Sequence, residues 1–281
     1  MTGNHEDSEY ILRDSRRGFL GQLTPAIIPH YPYRGREQFR DDFRHAVDTL
    51  GDQIEWFIVT GVDKKTFTTQ FLELESSPFS RWCAYDSELE LLLVRMTKHP
   101  AHETASRTFN TILYNAIEHM GMKWSLAQVG SATHRAAIGG KEADEAWKPV
   151  RTPRGQSRAW PSAVLEVAYS ETKRKLQSDV RYWHRASQGD VKVILTIQIN
   201  RNLPQVTIEQ WEVNANNKRE RTQSVVISSR GRTIRVLGGP LIIDFSKLFL
   251  REPTIPREQD IVIEGERLRF LARQVWDVQN F

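Results

Sequence analysis

The feature that most constrains this fold is an apolar run carrying one acid, Ala163-Val164-Leu165-Glu166-Val167-Ala168, followed by an amphipathic stretch and a β-branched run over 191–199. A strand apolar at nearly every position is buried on both faces. Over 171–185, Leu176, Val180 and Trp183 recur at helical spacing, with Ser170 placed as an N-cap. Strand, helix and strand in one sheet form a right-handed crossover, so 163–168 and 191–199 are predicted to run parallel. Glu166 is the anomaly, because a buried carboxylate is costly unless something compensates it. A second acid, Asp144, lies upstream. Two carboxylates converging at a strand end call for a cation between them, which points to a divalent metal and metal-assisted hydrolysis. The alternative leaves Asp144 in a loop and Glu166 facing solvent at a sheet edge, since perturbed acids also occur in structural ion pairs.

The rest of the chain supplies the frame. Phe39, Phe43, Val47 and Leu50 predict a helix over 37–50, residues 54–60 a strand, and 67–74 a weaker strand. Residues 82–85 and 89–96 read as a hairpin around Asp86 and Ser87. A helix over 104–120 carries one apolar stripe, Phe109, Ile112, Leu113, Ala116, Ile117 and Met120, and stops at Gly121. Residues 124–129 and 133–138 read as strands, the second broken by Gly139-Gly140, with Asp144 just beyond. The proline- and arginine-rich stretch 149–161 reads as a loop. Strands over 206–213, 223–228, 233–237 and 260–263 and a closing helix over 265–278 complete the pattern.

Composition narrows the class. With 281 residues the chain is long enough for a real core, and its hydrophobic (39%) and charged (26%) shares are those of a globular protein. A net charge of +4 suits a polyanionic partner without demanding one. Cys83 is the single cysteine, which excludes an internal disulfide and a cysteine metal cluster. Residues 1–17 are polar and lack an apolar stretch of signal-peptide type, and nothing approaches the ~20 apolar residues of a membrane span. The expectation is an intracellular protein, nuclear or cytoplasmic, not bound to membranes.

Helix, strand, strand, acid, strand with acid, helix, strand resembles the αβββαβ core order of the PD-(D/E)XK nuclease superfamily. The resemblance sits in Lys141-Glu142-Ala143-Asp144, in Leu165-Glu166-Val167, and in Ser170-Glu171 with the helix running to Trp183. The Leu-Glu-Val-x-x-Ser pattern and Ala101-His102-Glu103 are similar to a restriction-endonuclease-like family abundant in cyanobacteria. Asp179-Val180-Arg181-Tyr182-Trp183 and Val191-Lys192-Val193-Ile194-Leu195 look more like uncharacterised fungal relatives of it. The implied fold is α/β, a restriction-endonuclease-like core with a mixed sheet flanked by helices, plus extra N- and C-terminal strands and helices. The expected organisation is a polar tail over 1–20, an extension packed on the core over 21–81, the core over 82–200, and C-terminal strands and helix of the same domain over 201–281.

The resemblance implies a metal-dependent nuclease acting on DNA or RNA, with Asp144 and Glu166 holding Mg²⁺ or Mn²⁺. It also asks for a lysine two residues after the strand acid, where this chain has Ala168. Lys175, in the first turns of the following helix, is the replacement it suggests; Glu171 is a potential ion-pair partner, and Lys173, Lys141 and Lys148 are further candidates. Glu118 is a candidate extra metal ligand from the first core helix. His102 reads either as a ligand or as a surface histidine. Lys218, Arg219, Arg221, Arg230 and Arg232 form a basic set suited to phosphates or simply to water. The loss of lysine at 168 supports an alternative: a catalytically degenerate nuclease-fold protein acting as a nucleic-acid- or protein-binding module.

Overall fold

The computed structural model describes residues 28–281 except 51–54, 74–77, 98, 130–133, 137–138, 170–172, 215–218 and 232. The polar tail, Ser170, Glu171, Lys218 and Arg232 therefore lie outside the described residues. In chain order the main elements are β1 (His30–Pro32), α1 (Arg36–Leu50), β2 (Trp56–Thr60), α2 (Lys64–Thr66), β3 (Trp82–Asp86), β4 (Leu91–Arg95), α3 (Pro100–His119), β5 (Leu126–Gln128), β6 (His134–Ala136), β7 (Gly139–Lys141), β8 (Glu145–Pro149), β9 (Ala163–Ala168), α4 (Lys173–Ala186), β10 (Val193–Ile199), β11 (Gln205–Val213), β12 (Arg219–Arg230), β13 (Thr233–Leu237), β14 (Leu241–Ile243), α5 (Phe245–Phe249), β15 (Ile261–Ile263) and α6 (Gly265–Asp277). They divide into two compact units. The first takes the described residues of Met1–His99 and Thr133–Glu142, the second those of Pro100–Ala132 and Ala143–Phe281.

The first unit is a six-stranded sheet in the order β1-β2-β4-β3-β7-β6. Its core is aromatic: Phe39, Phe57, Phe67, Phe71, Phe79, Trp82 and Tyr85 are buried together. Asp86 fixes the β3–β4 turn by accepting the backbone N–H groups of Glu88 and Leu89, both at 3.0 Å. The strand expected over 67–74 is instead a π-helical turn, Phe67–Leu72, running on from α2. Asp63 caps α2 by accepting the Thr66 N–H, and the Thr68 and Thr69 hydroxyls bond back to the carbonyls four residues earlier. Phe67 and Phe71 then lie one turn apart on the buried side. Gly139-Gly140 does not end a strand either; it lies in β7, paired with β3 and β6.

The second unit is a mixed α/β layer structure in which α3, β5, β8, β9, α4 and β10 follow the expected order of helix, strand, strand, strand, helix, strand. Its seven-stranded sheet runs β13-β12-β11-β10-β9-β8-β5. The predicted crossover is present, with β9 and β10 parallel and Glu166 opposite Thr196. β8, β5 and β11 to β13 add antiparallel strands. The second core strand is β8, which begins immediately after Asp144; the described residues of the expected strand over 133–138 form β6, in the sheet of the first unit. The hairpin β3–β4 likewise groups with the first unit, so the stretch 82–200 is divided between the two.

The two faces of this sheet differ in chemistry. Ala163, Leu165 and Val167 of β9, with Val193, Leu195 and Ile197 of β10, join a continuous core with α3 and α6. Alternate residues point the other way, and in register they bring together Glu166, Thr196 and Glu209 across three strands. All three are buried. One face is thus a conventional hydrophobic core, and the other is a buried polar row beneath α4. Among the described residues no helix is long and apolar enough to cross a membrane.

Candidate active site

The polar row ends where β8 starts, β9 finishes and α4 begins. Ligand sites of open α/β sheets gather outside the carboxyl ends of parallel strands. β8 pairs antiparallel with β9, Glu145 opposite Leu165. Continuing that register by one residue places Asp144 across from Glu166. A hydrogen bond holds the arrangement: the Val167 backbone N–H donates to Asp144 Oδ2 at 2.9 Å. The Asp144 side chain thereby carries the β8–β9 ladder beyond its last backbone pair. Its carboxylate is 3% exposed and that of Glu166 is equally sequestered.

Each acid has a protein partner. His102, in the first turn of α3, brings Nε2 to 3.1 Å from Asp144 Oδ2 and Nδ1 to 3.8 Å from Glu103 Oε1. Neither ring nitrogen makes a well-directed hydrogen bond, so the contact with Asp144 is one of proximity. His102 is buried on Asp144, and the surface reading of it is set aside. Glu166 Oε1 accepts the Trp183 indole N–H at 2.5 Å. Trp183, fully buried, comes from the far half of α4 and leans back toward the sheet.

Lys175 shares the Trp183 face of α4, since the two are eight residues apart. That separation is about 12 Å along the helix. The ammonium is buried and ion-paired to both oxygens of Asp179, at 2.7 and 2.8 Å. The pairing expected with Glu171 lies outside the described residues, as does the side chain of Lys173. Lys148 sits four residues along β8 from Asp144, about 13 Å away. Lys141 belongs to the first unit.

The structure removes Glu118 from the set. It lies sixteen residues beyond His102, about 24 Å along α3, is half exposed, and pairs with Lys123 at 2.9 Å. The expected basic set divides as well: Arg219 and Arg230 are the two ends of β12, about 36 Å apart along an extended strand.

α3 adds a polar stripe that apolar periodicity alone did not reveal. His102, Ser106 and Asn110 recur every four residues. They meet Asp144, Glu145 Oε1 at 3.2 Å, and the Trp147 indole N–H at 2.8 Å. Gln128 closes the network, donating to Glu145 Oε2 at 2.6 Å and accepting from Asn110 at 3.2 Å. A three-residue polar stripe beside an apolar one is legible in the sequence once the helix is extended back to Pro100.

Comparison with known proteins adds little to this geometry. No family model matches the chain, and no curated protein is similar to it. Among solved structures it is similar to a "putative nuclease belonging to DUF820" from Anabaena variabilis, at 9% identity over 73% of this chain and 96% of that one, with a TM-score of 0.39. At that score the fold assignment rests on the chain's own element order and strand register.

Chemically, the Asp144–Glu166 corner offers hard oxygen donors from adjacent strands. Among the described residues no three His, Cys, Asp or Glu side chains gather as a ligand set. Carboxylate oxygens are the donors that a hard divalent cation such as Mg²⁺ takes, with water completing its shell.

Proposed function

We propose that the protein is a metal-dependent nuclease that hydrolyses phosphodiester bonds of DNA or RNA at the corner formed by Asp144 and Glu166. The observation that carries this reading is the Val167 N–H donated to Asp144 Oδ2, which ties the first acid to the residue following the second. Asp144 and Glu166 would hold Mg²⁺ or Mn²⁺. The bound ion would supply charge neutralisation on the scissile phosphate and a water made acidic enough to attack.

The chain's own groups have separate tasks. His102 and the Val167 N–H orient Asp144, and Trp183 orients Glu166. Both acids are buried, where a charge interacts more strongly than in bulk water. Lys175 is a buried cation on the helix that covers the Glu166 face, and in this reading it stands in for the lysine absent from position 168. Its pairing with both oxygens of Asp179 fixes the position of the ammonium.

The same ion pair favours a second reading. A lysine engaged by both oxygens of Asp179, together with Ala168, also describes a nuclease fold that binds nucleic acid without cutting it. A Mg²⁺- or Mn²⁺-dependent cleavage assay on mixed DNA and RNA separates the two, with Glu166→Ala and Asp144→Ala as controls. The nuclease reading expects metal-dependent cleavage that both substitutions abolish. Equal cleavage by wild type and variants rejects the site, and metal-dependent binding without cleavage supports the second reading.

A further inference from the structure

We propose that Arg219, beside Trp211, together with Arg181 and Arg185 of the adjoining helix, forms an anchoring site for the phosphate groups of a nucleic-acid strand, separate from Asp144 and Glu166. The inference shares only its partner with the proposed function and does not depend on catalysis or on metal.

Elements distant in the chain build this cluster. Arg181 and Arg185 lie one turn apart on the second half of α4. β12 pairs antiparallel with β11, Arg219 opposite Val213 and Arg221 opposite Trp211. The Arg219 and Arg221 guanidinium carbons lie 5.9 and 6.0 Å from the centre of the Trp211 ring. Trp211 lines a small cleft with Leu176 and Gln177 of α4, so the helix and the strand pair adjoin.

Charge balance singles out two members. Arg221 is neutralised by Glu209 at 2.7 Å, and the nearby Lys247 takes Glu212 at 2.6 Å. Asp179 is occupied by Lys175. Arg181 and Arg219 have no carboxylate at ion-pair distance among the described residues. Arg181 donates to the Ser178 hydroxyl at 3.0 Å, and its Nε is buried without a hydrogen-bond partner. Burial, and then the charges of Arg181 and Arg185, lower the Arg219 pKa. Burial and Arg185 lower that of Arg181, against the pull of Asp179. Like charges held together and partly desolvated are relieved by an anion. The guanidinium fork matches phosphate oxygens two at a time, and basic side chains beside an aromatic ring are what single-strand sites combine.

The position also suits a backbone contact. Trp211 pairs with Ile194, two residues along β10 from Thr196, which faces Glu166. Strand spacing puts the Trp211 backbone on the order of 12 Å from that of Glu166, on the sheet face covered by α4.

The test is fluorescence anisotropy of a labelled single-stranded oligonucleotide in EDTA, so that no cleavage intervenes, over a range of salt. The Arg181→Ala/Arg219→Ala variant is expected to weaken binding about tenfold or more and to reduce the slope of log affinity against log salt by about 1.4. Arg181→Lys/Arg219→Lys, which keeps the charge, recovers most of the affinity if the site is electrostatic, and Arg230→Ala, at the other end of β12, binds as wild type. Unchanged affinity and slope in the double alanine variant, with circular dichroism like that of wild type, overturn the proposal. So does cluster-dependent binding to phosphatidylserine vesicles without oligonucleotide binding. Failure of the cleavage assay leaves this result intact, because binding is measured without metal.

Discussion

Trp183 donates its indole N–H to Glu166 from seventeen residues further along the chain, so the crossover helix itself supplies the hydrogen bond that accommodates the acid it covers. Replacing Trp183 with Phe keeps most of the ring packing and removes the donor. The expected loss is about 1–3 kcal/mol, the cost of leaving a buried acceptor short of a partner. Urea unfolding at neutral pH measures it. Unchanged stability would mean that Glu166 is satisfied without the indole.

Lys175 and Asp179 form a buried pair within one helix turn. Removing either partner takes this ion pair from the other, and Lys175→Met or Asp179→Leu alone should cost about 3–5 kcal/mol. The double variant should cost clearly less than the sum, because neither charge is left behind. A double-mutant cycle from denaturation midpoints reads this coupling, and additive losses would show that the two do not depend on each other.

Asp144 reports on the backbone it caps. Asp144→Ala leaves the buried Val167 N–H without its acceptor. Amide hydrogen exchange at Val167 should then accelerate relative to Leu165, which lies inside the β8–β9 register. Val167 protection equal to that in wild type would place the acceptor elsewhere.

Glu258 gives the acid limb of stability. The Arg251 guanidinium, then the Thr254 backbone N–H, hold its pKa down to about 2 from 4.5. Two forked contacts at 2.6 and 2.8 Å make the clamp. A depressed folded-state pKa means that the stabilisation is fully present above about pH 4.5 and is lost as pH falls toward 2. Glu258→Gln should therefore unfold at a lower temperature than wild type at pH 6, with the difference closing as pH approaches 2. A difference independent of pH would assign the contribution to packing.

Much of the second unit was legible in the sequence because its signals are local. The all-apolar run 163–168, the helical stripe Leu176–Val180–Trp183 and the β-branched run 191–199 each specify an element, and right-handed crossover then specifies a parallel pair. The first unit was harder to read. Residues 67–72 have strand-like composition, yet Asp63 and two threonine hydroxyls turn them into a helix. β8 escaped notice because Glu145 and Lys148 mask its apolar positions, although Ala146 and Trp147 are fully buried. The polar row Glu166–Thr196–Glu209 was present as period-two alternation in 194–198 and 205–209, but strand alternation shows only that a face is polar, not what covers it.

By itself the sequence determined that a carboxylate must lie in a two-sided strand, that a helix must follow it, and that no lysine stands at position 168, since all three are properties of consecutive residues. Only the tertiary structure decided what surrounds the acids. Antiparallel register set Asp144 across from Glu166, the packing of α3 buried His102 against Asp144, and the return of α4 delivered Trp183 and the Lys175–Asp179 pair to the face that carries Glu166. These contacts join residues up to about forty positions apart, and the free energy that selects them comes from burying whole faces together, which no local pattern encodes.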